Sequence, residues 1–328
     1  MWKAGLVVLS LFVLLGCQKT NRQQSTSTSE INLAVTAIPS CALVFIALKN
    51  DYFAQEGLPV KSRIQTSGKV CLDSVLEGKA DLSTVAETPV MFAALNGDRI
   101  SIIATISTSN RNNAVIGRRD RGISAPTDLK GKRLAVTLGT AGEFFMDSFC
   151  SANGIARKDV HVVNLKPEEM VDALSSGTVD AAVTWNFPLI RLQKELGDKG
   201  VVFFDKEIYT ETYNIAAQQD FVRKNPDTMK KFLRALVKAE HFAREYPDKS
   251  QELVAASLQV DKKLVHEVWS SFEFRVALDQ ALLVALEDET RWAMKNHLAA
   301  NKQMPNYLDF ISTEYLQQIK NDAVGIVR

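Results

Sequence analysis

Two hydrophobic periods alternate along this chain. Ile31–Val35 is a short apolar segment, and Ser40–Asn50 has helical character until Gly57 breaks it. Val60–Ile64 alternates with period two and reads as a strand, while Cys71–Leu76 is helical and stops at Gly78. Ala80–Val85 reads as a third strand, Pro89–Leu95 as a third helix and Ile100–Ile106 as a fourth strand. Strands alternating with short helices imply βαβ units and a parallel sheet.

The pattern then restarts. Ala114–Ile116, Leu134–Thr137, Val160–Leu165, Ala181–Thr184 and Val201–Phe204 read as strands; Gly142–Ala152, Pro167–Leu174 and Pro188–Leu196 read as helices between them. Pro167 suits a first helical turn and Gly177 a helix stop. From Asn225 onward strands disappear. Asp227–Glu245 places Met229, Phe232, Leu233, Leu236, Val237 and Phe242 at helical spacing, and Ser250–Ser257, Lys262–Ser271, Asp279–Asn301 and Thr313–Asn321 follow as helices. Such helices need a sheet to cover, so they are expected to return to the first lobe. The expectation is an α/β protein of two Rossmann-like lobes: 31–109 in lobe 1, 110–212 in lobe 2, and 213–328 returning to lobe 1 with the C-terminal helices packed on it.

The N-terminus changes the setting. Lys3 precedes an apolar run, Ala4–Leu15, too short to span a bilayer. It ends in Leu14-Leu15-Gly16-Cys17, which resembles a lipobox, implying that residues 1–16 are a signal peptide and that Cys17 carries lipid. Residues 17–30 are polar, without apolar periodicity, and read as a flexible tether. The expected location is outside the cytoplasm, lipid-anchored to a bacterial membrane, in the periplasm or at the cell surface.

Composition excludes some partners. A net charge of +1 offers no electrostatic case for nucleic acid. Beyond Cys17 stand Cys41, Cys71 and Cys150. Cys41 and Cys71 begin successive helices just past neighbouring loops. They are either a disulfide, which an oxidising compartment permits, or two small buried residues. There is no CxxC pair, HExxH or GxSxG, and His161, His241, His266 and His297 lie in separate segments; no metal, cofactor or catalytic residue is expected.

In open sheets of this kind ligands bind at the carboxyl ends of strands, beside helix starts. The loops there carry Ile38, Pro39 and Ser40; Ser67 and Gly68; Thr88 and Pro89; Thr137, Gly139, Thr140, Ala141 and Gly142; and Trp185 and Asn186. Small hydroxyls and unpaired amides at a helix start form an anion site without needing an arginine, although the same residues serve as plain helix caps. Trp185 is a flat wall for a planar or apolar part of a solute, or a core residue. Glu143, Asn113 and Tyr213 complete the candidate set.

Four stretches in order resemble one family. Phe53-Ala54-Gln55-Glu56-Gly57-Leu58-Pro59-Val60, Gly78-Lys79-Ala80-Asp81, Asp128-Leu129-Lys130-Gly131-Lys132 and Gly177-Thr178-Val179-Asp180-Ala181 with Trp185-Asn186-Phe187-Pro188 are similar to segments of the substrate-binding proteins of ABC importers for nitrate, sulfonates, taurine and thiamine pyrimidines. Asp51 stands where that family usually has Gly, and Asn186 where it usually has an acid. The resemblance implies the type II periplasmic-binding-protein fold, with a ligand cleft between the lobes and crossings near Ser107–Asn113 and Glu211–Ala216. It implies a non-enzymatic monomer that captures a small anion such as a sulfonate, taurine or nitrate, and a membrane permease as partner. A thiamine pyrimidine or other aromatic solute is the neighbouring reading. A biosynthetic enzyme and a sensory lipoprotein on the same fold are the rivals from other classes.

Overall fold

The computed structural model describes residues 1–2, 30–301 and 303–327. The apolar leader, Cys17 and the tether up to residue 29 lie outside the described residues.

The first sheet begins with β1 (Ile31–Thr36), α1 (Ala42–Lys49), α2 (Tyr52–Gln55), β2 (Val60–Gln65), α3 (Gly68–Leu76), β3 (Leu82–Ala86), α4 (Glu87–Leu95) and β4 (Ile100–Ser109). The second holds β5 (Asn113–Arg118), β6 (Arg133–Val136), α5 (Ala141–Ala152), β7 (His161–Asn164), α6 (Met170–Ser176), β8 (Ala181–Trp185), α7 (Asn186–Leu196) and β9 (Gly200–Phe203). The chain returns through β10 (Glu211–Gln218) to α8 (Gln219–Lys224), α9 (Pro226–Glu245), α10 (Pro247–Leu258), α11 (Lys262–Trp269), α12 (Gln280–Lys295) and α13 (Glu314–Ile319).

The strand orders are β2-β1-β3-β10-β4 and β7-β6-β8-β5-β9. The two patterns correspond position by position. In each sheet the first strand laid down after a crossing, β10 or β5, runs antiparallel between two neighbours. The expectation of purely parallel sheets is therefore corrected. A chain that enters a sheet from the other lobe arrives at the cleft end, opposite to strands that leave the sheet there. The crossings occupy residues 110–112 and 204–210. The second is earlier than Glu211–Ala216, because those residues already pair with β3 and β4. Glu211 and Thr212, expected in lobe 2, thus belong to the first sheet.

Local sequence explains the layers. β1 (INLAVT) is nearly all buried at an interior position, whereas β2 (VKSRIQ) exposes Lys61 and Arg63 on an edge strand, where charge opposes further pairing. α1 (ALVFIALK) is apolar almost all round because α9 and α10 cover the side turned from the sheet. Phe53 stacks on Phe232 of α9 at 4.8 Å. The C-terminal part packs on lobe 1: α12 lies on α4 and α13 on α9. Backbone pairs of Thr105 with Ala277 and Thr108 with Glu273 cover the β4 edge. α12 ends at Lys295, short of the expected Asn301, because His297 adopts a left-handed backbone (φ 58) that turns the chain.

Candidate functional site

Helix starts from both lobes face one cavity. On the lobe 1 side, Ser67 caps α3, its hydroxyl accepting from the Val70 amide at 3.4 Å. Gly68 follows, and it must be glycine: a Cβ there would stand 2.7 Å from the Tyr213 hydroxyl and 3.1 Å from Val85 Cα. On the lobe 2 side, the Thr140 hydroxyl turns back to donate to the Thr137 carbonyl at 2.6 Å, so it does not cap α5. The first amides of a helix have no acceptor within it, so the α3 and α5 starts present partial positive charge to the space between them. Ile38, Pro89, Ala141, Gly142 and Trp185 share that lining with Thr36, Lys69 and Ala86. Trp185 is buried, and a Cβ on Gly142 would already touch its ring at 3.4 Å. The space between the lining atoms measures about 370 Å³.

The lining also includes an acid. Glu211, at the start of β10, lines it beside Asn112 and Tyr213. Its carboxylate accepts from Asn112 Nδ2 at 2.8 Å and Asn113 Nδ2 at 2.6 Å, tying one crossing to the other. Burial, and next the neighbouring Glu87, push the Glu211 carboxyl up to about 8, against the lowering effect of the two amides. Burial likewise raises Glu87 to about 7, although Tyr209, Thr212 Oγ1 (2.8 Å) and the Thr212 amide (2.9 Å) all donate to it. Tyr213 donates to Thr36 Oγ1 at 2.7 Å, which fixes the ring at the wall.

The lobes also meet beside the cavity. Trp292 of α12 donates from Nε1 to Asp147 of α5 at 2.8 Å, and Phe144 packs edge-on against both Tyr209 and Trp292. Arg157 pairs with both Glu143 and Asp147, so one cation serves this buried acidic pair.

Of the residues expected at the site, Ile38, Ser67, Gly68, Pro89, Thr140, Ala141, Gly142, Trp185 and Tyr213 come together. Others are corrected. Thr88 points away from the cavity and donates to Glu289 at 2.6 Å, one helical step from Pro89, which does line it. Thr137 donates to the Leu165 carbonyl at 2.7 Å. Pro39 and Ser40 are buried in a 3₁₀ turn whose Ser40 carbonyl accepts from Ser107. Gly139 and Glu143 bond to each other at 2.7 Å and line a neighbouring groove with Lys69 rather than the cavity. Asn113 acts behind Glu211, and Asn186 lines an adjoining chamber. Cys41 and Cys71 are free buried thiols, so the disulfide reading is set aside; desolvation pushes both well above the usual thiol range. Thr36, Lys69 and Ala86, also in the lining, belong to the same strand-end loops as Ile38, Gly68 and Pro89. Asn112 and Glu211 fell within the expected crossings but were not expected at the site, being far apart in sequence and joined only by the fold.

Among the described residues no group of three or more His, Cys, Asp or Glu side chains is placed to hold a metal ion, and no helix is long and apolar enough to cross a membrane.

Comparison with known proteins gives the fold and site a context. The profile of the family described as NMT1/THI5 like matches residues 38–250. A putative aliphatic sulfonates-binding protein of Bacillus subtilis is 27% identical over 280 residues, covering 83% of each chain. The taurine-binding periplasmic protein of Escherichia coli is 25% identical, covering 66% of this chain and 68% of its own. The alkanesulfonate-binding protein of Xanthomonas axonopodis pv. citri, solved with MOPS bound, superimposes with a TM-score of 0.75 at 14% identity, over 88% of this chain and all of the other.

Proposed function

Because this chain belongs to the NMT1/THI5-like family, we propose that it is the solute-binding component of an ABC importer, exported and held at the membrane by lipid on Cys17. Its solute is a small molecule that joins an anionic group to an amine, as an aminosulfonate does. The observation that carries this reading is the polarity of the cavity. The α3 and α5 starts face its interior from opposite lobes, and the Glu211 carboxyl lines the same space. An anion suits the helix starts, and an ammonium suits the carboxyl.

Closure follows from the same geometry. A solute that touches helix starts of both lobes gains its full contacts only when they meet, so it shifts the equilibrium toward the closed form that a permease distinguishes from the open one. The site is suited to binding rather than catalysis. Its groups offer charge and hydrogen bonds, and the nearby thiols are held protonated by burial. A second reading, an aminopyrimidine, is favoured by the Trp185 wall together with Glu211 as acceptor.

Calorimetric titration of the mature protein tests the proposal with taurine, ethanesulfonate, nitrate and a 4-aminopyrimidine. Taurine is expected to bind at least tenfold tighter than ethanesulfonate, and with proton release near neutral pH as the ammonium displaces the Glu211 proton. Equal binding of the two sulfonates would remove the amine from the reading, and silence with all anions would overturn the importer solute proposed here. Tight binding of the aminopyrimidine alone would establish the second reading.

A further inference from the structure

A second chamber adjoins the cavity on the crossing side. Asn112 lines both spaces, so its side chain is their shared wall. The chamber measures about 630 Å³ and is built from both lobes: Leu189 of α7 and Phe204 from lobe 2, Val268 of α11 and Phe272 from the return segment. Asn186 belongs to its lining. That side chain is 4% exposed, yet neither Nδ2 nor Oδ1 has a hydrogen-bond partner among the described residues. The Asn112 Oδ1 atom is likewise buried and unpartnered, although its amide nitrogen is engaged by Glu211. A buried amide with both ends unpaired forfeits its hydrogen bonds to water, so such groups are retained where something pairs with them. Asn186 also adopts a left-handed backbone (φ 43), an unfavourable conformation for a residue with a Cβ, at the first position of α7.

From these observations we propose that the chamber is an extension of the solute site. It receives a substituent carried on the solute's amine: a short apolar stem that ends in a group with one donor and one acceptor, such as a carboxamide. The amine stands at Glu211 and Asn112, which places its substituent at the shared wall. The apolar walls accept the stem, and Asn186 reads the terminal group with both ends of its amide. This inference rests on the aminosulfonate reading for the head of the solute. It makes Asn186 a determinant of specificity for the tail.

Three probes and one variant test it. The probes are taurine, its N-propyl derivative and its N-carbamoylmethyl derivative; the variant is Asn186→Gly, which keeps the left-handed backbone without strain and deletes the amide. In the wild type the carbamoylmethyl compound should bind about tenfold tighter than the propyl compound. In Asn186→Gly that advantage should vanish while taurine affinity is unchanged. An equal loss for all three probes in the variant, or no difference between the two tails in the wild type, would overturn the proposal. Propionamide alone, titrated at millimolar concentration while the Asn186 side-chain amide resonances are followed, separates this inference from the one it rests on. Shifts with propionamide but no binding of any sulfonate would refute the head-group reading and leave the chamber standing. Resonances unmoved by propionamide and by the carbamoylmethyl compound would refute the chamber.

Discussion

Replacing Glu211 by Gln should flatten the pH dependence of stability, and the size of the effect can be worked out from the structure. Glu211 is fully buried and its carboxyl is held up to about 8, against an ordinary value of 4.5. Below pH 4.5 the folded and unfolded chains both keep the proton, so the contribution is complete. Between 4.5 and about 8 the unfolded chain gives up the proton that the folded chain retains, and stability falls as pH rises. The full span is worth roughly 5 kcal/mol at about 1.4 kcal/mol per pH unit. The glutamine keeps the shape, and its amide need not clash with the donors from Asn112 and Asn113. Both asparagines have an unpartnered Oδ1, so turning either amide over presents an acceptor. Urea denaturation of the solute-free mature protein at pH 5.5, 7 and 8.5, followed by tryptophan fluorescence, is the assay. The wild type should lose several kcal/mol across this range. Glu211→Gln should lose markedly less, and the remainder should belong to Glu87, raised to about 7, and to Glu289, which burial and the neighbouring Glu87 also raise. Parallel curves for the two proteins, or a wild type that gains stability toward pH 8.5, would refute the reasoning.

Two other substitutions probe the frame of the site. Arg157→Met leaves Glu143 and Asp147, at 3% and 6% side-chain exposure, without their cation; unfolding free energy at pH 7 should drop by about 3–5 kcal/mol, measured by denaturant titration, and a drop under 1 kcal/mol would show that the pair is not confined as described. Gly68→Ala drives a methyl into the Tyr213 hydroxyl and the β3 backbone; a stability loss of about 1–3 kcal/mol is expected by thermal melting, with at least tenfold weaker solute binding by calorimetry, and unchanged affinity would remove Tyr213 from the site.

Much of the fold was legible because its causes are local. The period-two and helical patterns identified nearly every strand and helix, and the restart near Ala114 separated the two sheets, because apolar spacing follows directly from backbone geometry. The helix-start loops were legible for the same reason: Ser67, Gly68, Thr140 and Gly142 stand where a strand ends and a helix begins. Side-chain direction within those loops was not. One residue along a helix rotates a side chain by about 100°, which is enough to place Pro89 in the cavity and turn Thr88 toward Glu289.

The sequence alone therefore determined the elements, their alternation and the loops that begin the helices facing the cavity. Only the tertiary structure decided that β5 and β10 insert antiparallel, since strand direction depends on which lobe the chain arrives from. It alone brought Asn112 and Asn113 to Glu211, and aimed an unpaired Asn186 at the chamber beside them. Those groups are joined by the crossings between the lobes, and contacts between segments so distant in sequence carry no local period.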